Sequence, residues 1–354
     1  MLFESFIFFL ILLVLCSSSK DKSPSPNGGT YINPVYPYDS PDPGVVFDTP
    51  SSLWYAATTG GAGNGGCFPI HTSSTLGNDW VITGSVFNSS ADMPVWSDKV
   101  TCWAPEIHFI PGKNNYVVYF AARLSSSGAL CVGVAESLTG SPLGPYKDSG
   151  SPLILSPPGS CFGVIDPTYH FDIDSNKSYV IYKHDGNSCG KPTNQYAQLL
   201  ADDGMSLDTS QQPIFLITND PNSWEKNLVE APWMIQRGSY LYLFYGGGGG
   251  YDTPGYSVGV ARSTSGLLTG PWEKNSANPV LRTFPGGGTQ GSPLHYGPGH
   301  TSVILSNDGT FAYLYAAWGP AQKGGRNLML DAIEWGADNW PMVRFISNTT
   351  QPLP

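Results

Sequence analysis

The chain has 354 residues, 42 of them Gly and 31 Pro, so about one residue in five is hostile to helix and a helical bundle or coiled coil is excluded. Aromatic residues make up 13% and charged residues only 12%, the reverse of a disordered composition, so most of the chain must bury a core. The net charge is −10 with 17 scattered Lys and Arg, which leaves no basic footprint for nucleic acid or an anionic membrane and favours a neutral partner.

Residues 2–16 form the one long apolar run and are followed by Ser17, Ser18 and Ser19. The run is short for a membrane span, and the pattern reads as a secretory signal peptide over 1–19. Glu4 and the lack of Lys or Arg ahead of the run depart from that pattern, which keeps an uncleaved anchor as the other reading. Residues 20–30 are mostly Ser, Pro, Gly and Lys with nothing to bury, a linker, and the folded domain is expected over 31–354. The triplets beginning at Asn88, Asn176 and Asn348 suit a glycosylated surface, and export to the cell exterior is expected. Cys67, Cys102, Cys131, Cys161 and Cys189 remain in the mature chain. Five is odd, so at most two disulfides form and at least one thiol stays free or pairs between chains. No CxxC or His-x-x-x-His spacing points to structural zinc.

From Tyr31 onward, short β-branched and aromatic runs recur between Gly, Asn, Asp and Pro clusters, and no helical periodicity is sustained. The domain is all-β. Asp42-Pro43-Gly44-Val45-Val46 leads through a turn to Leu53-Trp54-Tyr55, and the same hairpin pattern begins again at Ala104, Asp166, Glu230 and His300. The starts are 62, 62, 64 and 70 residues apart. A third strand keeps phase, as in Val132-Gly133-Val134-Ala135 and Val258-Gly259-Val260-Ala261. Each unit has room for three or four antiparallel strands, the size of one propeller blade, so a five-bladed β-propeller is predicted, with a large β-sandwich as the alternative.

Innermost strands of a propeller run parallel around the axis, so their first residues meet at one mouth. Asp42, Asp166 and Glu230 hold that place in blades one, three and four, with Ala104 and His300 in blades two and five. Asp-Pro is also a plain turn dipeptide, which accounts for the prolines but not for acids at a shared phase. Carboxylates crowded in a partly dehydrated funnel cannot all ionise at ordinary pKa values, so one becomes a proton donor. Two carboxylates in separate roles, aromatic walls and a neutral hydroxylated substrate are the needs of glycoside hydrolysis.

Asp42-Pro43, Trp103-Ala104-Pro105-Glu106, Asp166-Pro167-Thr168, Val229-Glu230-Ala231-Pro232 and Gly297-Pro298-Gly299-His300-Thr301-Ser302-Val303 resemble, in order, the blade motifs of glycoside hydrolase family 43 over nearly the whole mature chain. The resemblance implies an inverting hydrolase of arabinose- or xylose-containing plant polysaccharides, with Asp42 as general base, Glu230 as general acid and Asp166 as the carboxylate that orients the acid and lifts its pKa. Inversion implies carboxyls of Asp42 and Glu230 about 6.5–9.5 Å apart. The resemblance also implies that His300 lies on the axis, where arabinan-cleaving relatives hold a calcium ion or a water cluster. No acidic calcium loop is visible here, so no cofactor is required and a calcium near His300 stands beside a purely structural histidine.

Residues just after each second strand belong to the rim: Thr58-Thr59, Arg123, His184-Asp185, Gly246 to Tyr251, and Trp318. Trp103 and Trp233 are candidates either for stacking on a sugar face or for interior packing, and Arg123, Tyr251 and His300 complete the expected substrate-binding set. The substrate is expected to be a plant polysaccharide or oligosaccharide, met by a monomer. Three rivals stand: a β-xylosidase of the same family, a retaining fructan hydrolase, whose Asn-Asp-Pro-Asn and Arg-Asp-Pro signatures are missing here, and a non-catalytic carbohydrate-binding propeller.

Overall fold

The structure, a computed structural model, describes residues 29–354 apart from 63–64, 158, 284–294, 307–308 and 320–324. The expected signal peptide and residues 20–28 of the expected linker lie outside the described residues. Thr30, the last residue of that linker, is already in the fold, since Thr30–Tyr31 pairs antiparallel with Gln351–Pro352.

The strand alternation decides the architecture. In Asn115–Arg123, the side chains of Tyr116, Val118 and Phe120 join one apolar cluster with Tyr55, Ile70 and Phe87. Val117 and Tyr119, pointing the other way, join a second with Val164, Val180 and Tyr182. Tyr240–Gly247 splits likewise, Tyr242 and Phe244 one way, Leu241, Leu243 and Tyr245 the other. A sheet apolar on both faces needs a partner on each. Five large clusters result, one between each pair of neighbouring sheets, the last joining Trp54 and Ala56 to Leu314 and Leu328. This is a five-bladed β-propeller.

The inner strands are Gly44–Asp48, Trp103–Ile110, Val164–Asp172, Val229–Arg237 and Tyr296–Leu305. Each touches the next, and the fifth touches the first. The ring is closed by the N-terminal strand Tyr36–Asp39, which pairs with Arg326–Ala332 and becomes the outer strand of blade five. Disulfides Cys67–Cys102 and Cys161–Cys189 tie blade one to the start of blade two, and the lead-in of blade three to the turn after its second strand. Cys131 is the buried free thiol, its pKa pushed up to about 12 by burial first and by Asp98.

At the mouth of every inner strand one non-glycine residue is left-handed: Asp42 (φ 54°), Ala104 (46°), Asp166 (54°), Ala231 (48°) and His300 (48°). Ladder registers break beside it in blades two to five, as at a β-bulge that re-aims side chains. In blade four the equivalent residue is therefore Ala231, and Glu230 stands one position earlier than the repeat in the sequence suggests. Each such residue costs about 1–2 kcal/mol, a strain the surrounding ring has to impose.

Blades one and two pack tightly at Gly44, where an added Cβ would lie 2.3 Å from the Pro105 carbonyl oxygen and 2.5 Å from Glu106 Cα. Gly44→Ala should therefore cost at least about 2 kcal/mol, read as a drop of several degrees in the thermal unfolding midpoint.

Candidate active site

The five strand mouths converge. Asp42, Ala104, Asp166, Glu230 and His300 all line one cavity of about 340 Å³, at the small end of ligand sites. Trp103, 40% exposed, and Tyr251 stand on its wall.

Asp42 is buried and bound at both oxygens by Arg326, with Nη1 donating to Oδ1 at 2.6 Å and Nη2 to Oδ2 at 3.2 Å. His300 Nδ1 lies 3.3 Å from Oδ1. Burial acts to raise this carboxyl's pKa, but Arg326 and His300 outweigh it and hold Asp42 below the usual carboxylate range. It is an ionised carboxylate at neutral pH.

Asp166 behaves oppositely. Burial above all, with the charge of Glu230 adding to it, lifts its pKa to about 6 against the lowering pull of His300 and Lys183. Its Oδ2 accepts the Ala231 N–H at 2.9 Å, so the left-handed residue of blade four presents its amide to the acid of blade three. The group raised here is Asp166 itself.

Glu230 Oε2 accepts from Lys183 Nζ at 2.8 Å, and the same ammonium meets Asp185 Oδ1 at 2.7 Å. Lys183 is 1% exposed. Burial would lower its pKa, but Glu230, Asp185 and Asp166 raise it, and it stays charged. Tyr256 is fully buried, its hydroxyl hydrogen-bonded to Glu230, and burial followed by the nearby acids keeps it protonated. Its ring fits only because its neighbours lack side chains: a Cβ on Gly299 would lie 1.9 Å from Tyr256 Cε1, and one on Gly246 would lie 2.5 Å from its hydroxyl oxygen.

Lys183, Tyr256 and Arg326 were not singled out in the sequence. Lys183 left a faint trace, a lone charge in the apolar run Tyr179-Val180-Ile181-Tyr182. Trp233 and Arg123 stand elsewhere than expected. Trp233 does not line the cavity; it is 8% exposed, packs between blades four and five, and faces His108 at 5.7 Å. Arg123 lies outside the cavity, in an adjoining groove, with its guanidinium 5.4 Å from the Trp103 ring. The donors around His300 do not fit calcium, which takes six to eight oxygens: the nearest carboxylate is occupied by Arg326, and among the described residues no three His, Cys, Asp or Glu side chains gather as metal ligands. Of the expected rim, Thr59, Asp185, Gly249, Gly250 and Tyr251 reach the cavity, and Trp318 holds the rim by donating to the Tyr251 carbonyl at 2.6 Å.

A family model described as Glycosyl hydrolases family 43 matches residues 31–341. The chain is 26% identical to the arabinan endo-1,5-alpha-L-arabinosidase C of Emericella nidulans, with 85% of this chain and 91% of the relative covered. It is 24% identical to the extracellular exo-alpha-(1->5)-L-arabinofuranosidase of Streptomyces avermitilis, covering 96% and 68%. Among solved structures, a thermostable family-43 glycoside hydrolase superposes with a TM-score of 0.76 at 28% identity, covering 92% of this chain and 99% of that one.

Lys183 is the buried counter-ion of Glu230 and Asp185, so Lys183→Met should destabilise the protein by about 3–5 kcal/mol at pH 7. The stranded carboxyls would then have folded pKa values above their unfolded ones, and the penalty should shrink as pH falls and they take up protons. Thermal unfolding of variant and wild type at pH 7 and pH 5 checks this; an equal gap at both pH values would contradict it.

Proposed function

The chain belongs to family 43 of the glycosyl hydrolases, O-glycosyl hydrolases that act with inversion, and from that premise we propose that it cleaves α-L-arabinofuranosyl linkages in plant cell-wall arabinan or arabinoxylan. The observation that carries the reading is an asymmetry among buried carboxylates. Asp42 is held ionised by Arg326, while Asp166 has its pKa raised to about 6 by burial first and by the charge of Glu230.

Asp42 is the proposed general base. Locked charged and facing the cavity, it takes a proton from water as that water attacks the anomeric carbon. Glu230 is the proposed general acid, which protonates the departing oxygen. The ion pair with Lys183 is the state this acid reaches once its proton has gone, so the ammonium receives the charge that develops there. Asp185 keeps Lys183 charged and in place when Glu230 is protonated. Asp166 is the proposed positioning residue, and its negative charge raises the proton affinity of the pair.

The arabinan substrate is supported by the names of the two relatives above. Secretion is our reading of location, supported by the apolar run at 2–16, by two disulfides, which suit an oxidising compartment, and by the relative named extracellular. Among the described residues no helix is long and apolar enough to cross a membrane.

The purified protein should release arabinose or arabino-oligosaccharides from linear arabinan; xylose release from xylo-oligosaccharides with arabinan untouched would overturn the substrate reading. Glu230→Ala should lower kcat by about 10²–10⁴ with an unchanged circular dichroism spectrum. Asp166→Asn removes the like charge beside the acid, so the alkaline limb of the kcat/KM profile should move to lower pH by about one unit. An unmoved limb would strip Asp166 of its role.

A further inference from the structure

Glu230 is held by more than its ion pair. Blade three presents one residue from each of its first three strands to blade four: Asp166 from Val164–Asp172, Lys183 from Lys177–His184 and Gln195 from Asn194–Leu199. Lys183 and Gln195 are direct partners across the ladder, and Ile165, beside Asp166, is the partner of Lys183 on its other side. The three form a row across the sheet, and each bonds to Glu230 or to the residue after it. Asp166 Oδ2 accepts the Ala231 N–H at 2.9 Å, Lys183 Nζ donates to the Glu230 carboxylate at 2.8 Å, and Gln195 Nε2 donates to the Glu230 carbonyl at 3.1 Å. One residue upstream, Thr193 Oγ1 accepts the Val229 N–H at 2.7 Å.

The Glu230 carbonyl and the Ala231 N–H belong to one peptide unit. They point in opposite directions from a planar trans group, so bonds to both stop that unit from turning about the line between its two Cα atoms. The restraint matters because Ala231 is left-handed, φ 48°, a conformation unfavourable for a residue with a Cβ that such a turn would relieve. The same turn shifts the Cα–C bond of Glu230 and with it the direction of the side chain.

Gln195 is 0% exposed, and the bond to Glu230 is the one hydrogen bond its side chain makes among the described residues, its Oε1 meeting no donor. Packing alone does not call for a glutamine there, since methionine has nearly the same length and buries no acceptor. What the amide supplies, and methionine would not, is an N–H for the Glu230 carbonyl.

We infer that Gln195, which does not line the cavity, is a positioning residue for the proton donor: it fixes the peptide that carries Glu230, so that the carboxyl meets the departing oxygen. The inference rests on the reading of Glu230 as general acid.

The test uses two substrate classes that differ in their need for a proton. Arabino-oligosaccharides lose a sugar alkoxide, which must be protonated as it leaves, whereas dinitrophenyl α-L-arabinofuranosides of one to three units lose a phenolate that departs unaided. Both are measured on the same preparations of wild type, Gln195→Met, Gln195→Asn and Glu230→Ala, so the folded fraction cancels in the ratio of the two kcat values. Gln195→Met should lower kcat on the oligosaccharides by about tenfold to a hundredfold and on the dinitrophenyl glycosides by less than about twofold, with KM for both close to wild type. Gln195→Asn, whose amide stops one methylene short of the Glu230 carbonyl, should do the same, and it carries the test if Gln195→Met folds poorly. Equal losses on both classes, or no loss on the oligosaccharides, would overturn the positioning role. Glu230→Ala calibrates the reading beneath it and should show the same selective loss to a larger degree. If it does while the Gln195 variants do not, the inference fails alone; if it loses both activities alike, the acid assignment fails and takes the inference with it.

Discussion

Everything in this molecule follows from sheets that are apolar on both faces. A strand such as Asn115–Arg123, with tyrosine, valine and phenylalanine on either side, gives its sheet no solvent face. Each fully buried large side chain contributes about 1.5–3 kcal/mol, so leaving either face open is costly. Face-to-face stacking that returns to its start covers every face, and five is the number this chain supplies. The arrangement leaves the inner strand mouths facing one another around a narrow pit, whatever residues stand there.

The pit becomes chemical through backbone geometry. A left-handed residue at each mouth breaks the two-residue alternation, so residues that regular pleating would send into the sheet stacks turn toward the axis. The same bend gives Ala231 N–H to Asp166, a bond between blades made by the strain itself. Closure of the ring completes the site too. Tyr36–Asp39 seals blade five, and Asp39 Oδ1 accepts the backbone N–H of Arg326, whose guanidinium then holds Asp42. The contact that finishes the fold and the contact that fixes a charged carboxylate share one residue.

That division explains what could be read from the chain. The propeller was legible because inner and second strands repeat, and the acids at 42, 166 and 230 because they precede or neighbour prolines at a repeating phase. The one-residue offset of Glu230 was visible as its greater distance from Pro232, but its cause, a bend at Ala231, is a property of backbone angles. Lys183 and Arg326 were illegible for another reason. They reach the pit from second and third strands, where no turn or proline marks the position, and a counter-charge needs only to arrive within about 3 Å from any direction. Trp233 failed as a surface aromatic because the register past the bend points it between blades four and five.

Charge balance then sets what each acid can do. Five carboxylates, Asp42, Asp166, Asp185, Glu230 and Asp252, line the cavity with two permanent cations, Lys183 and Arg326. Arg326 commits both nitrogens to Asp42, and Lys183 is divided between Asp185 and Glu230. Asp166 is left with a backbone amide and no ammonium or guanidinium of its own, so burial dominates and a proton is retained near pH 6. One cavity thus holds a carboxyl kept below its usual range and another raised to about 6, and the difference is set by side chains that carry no recognisable motif.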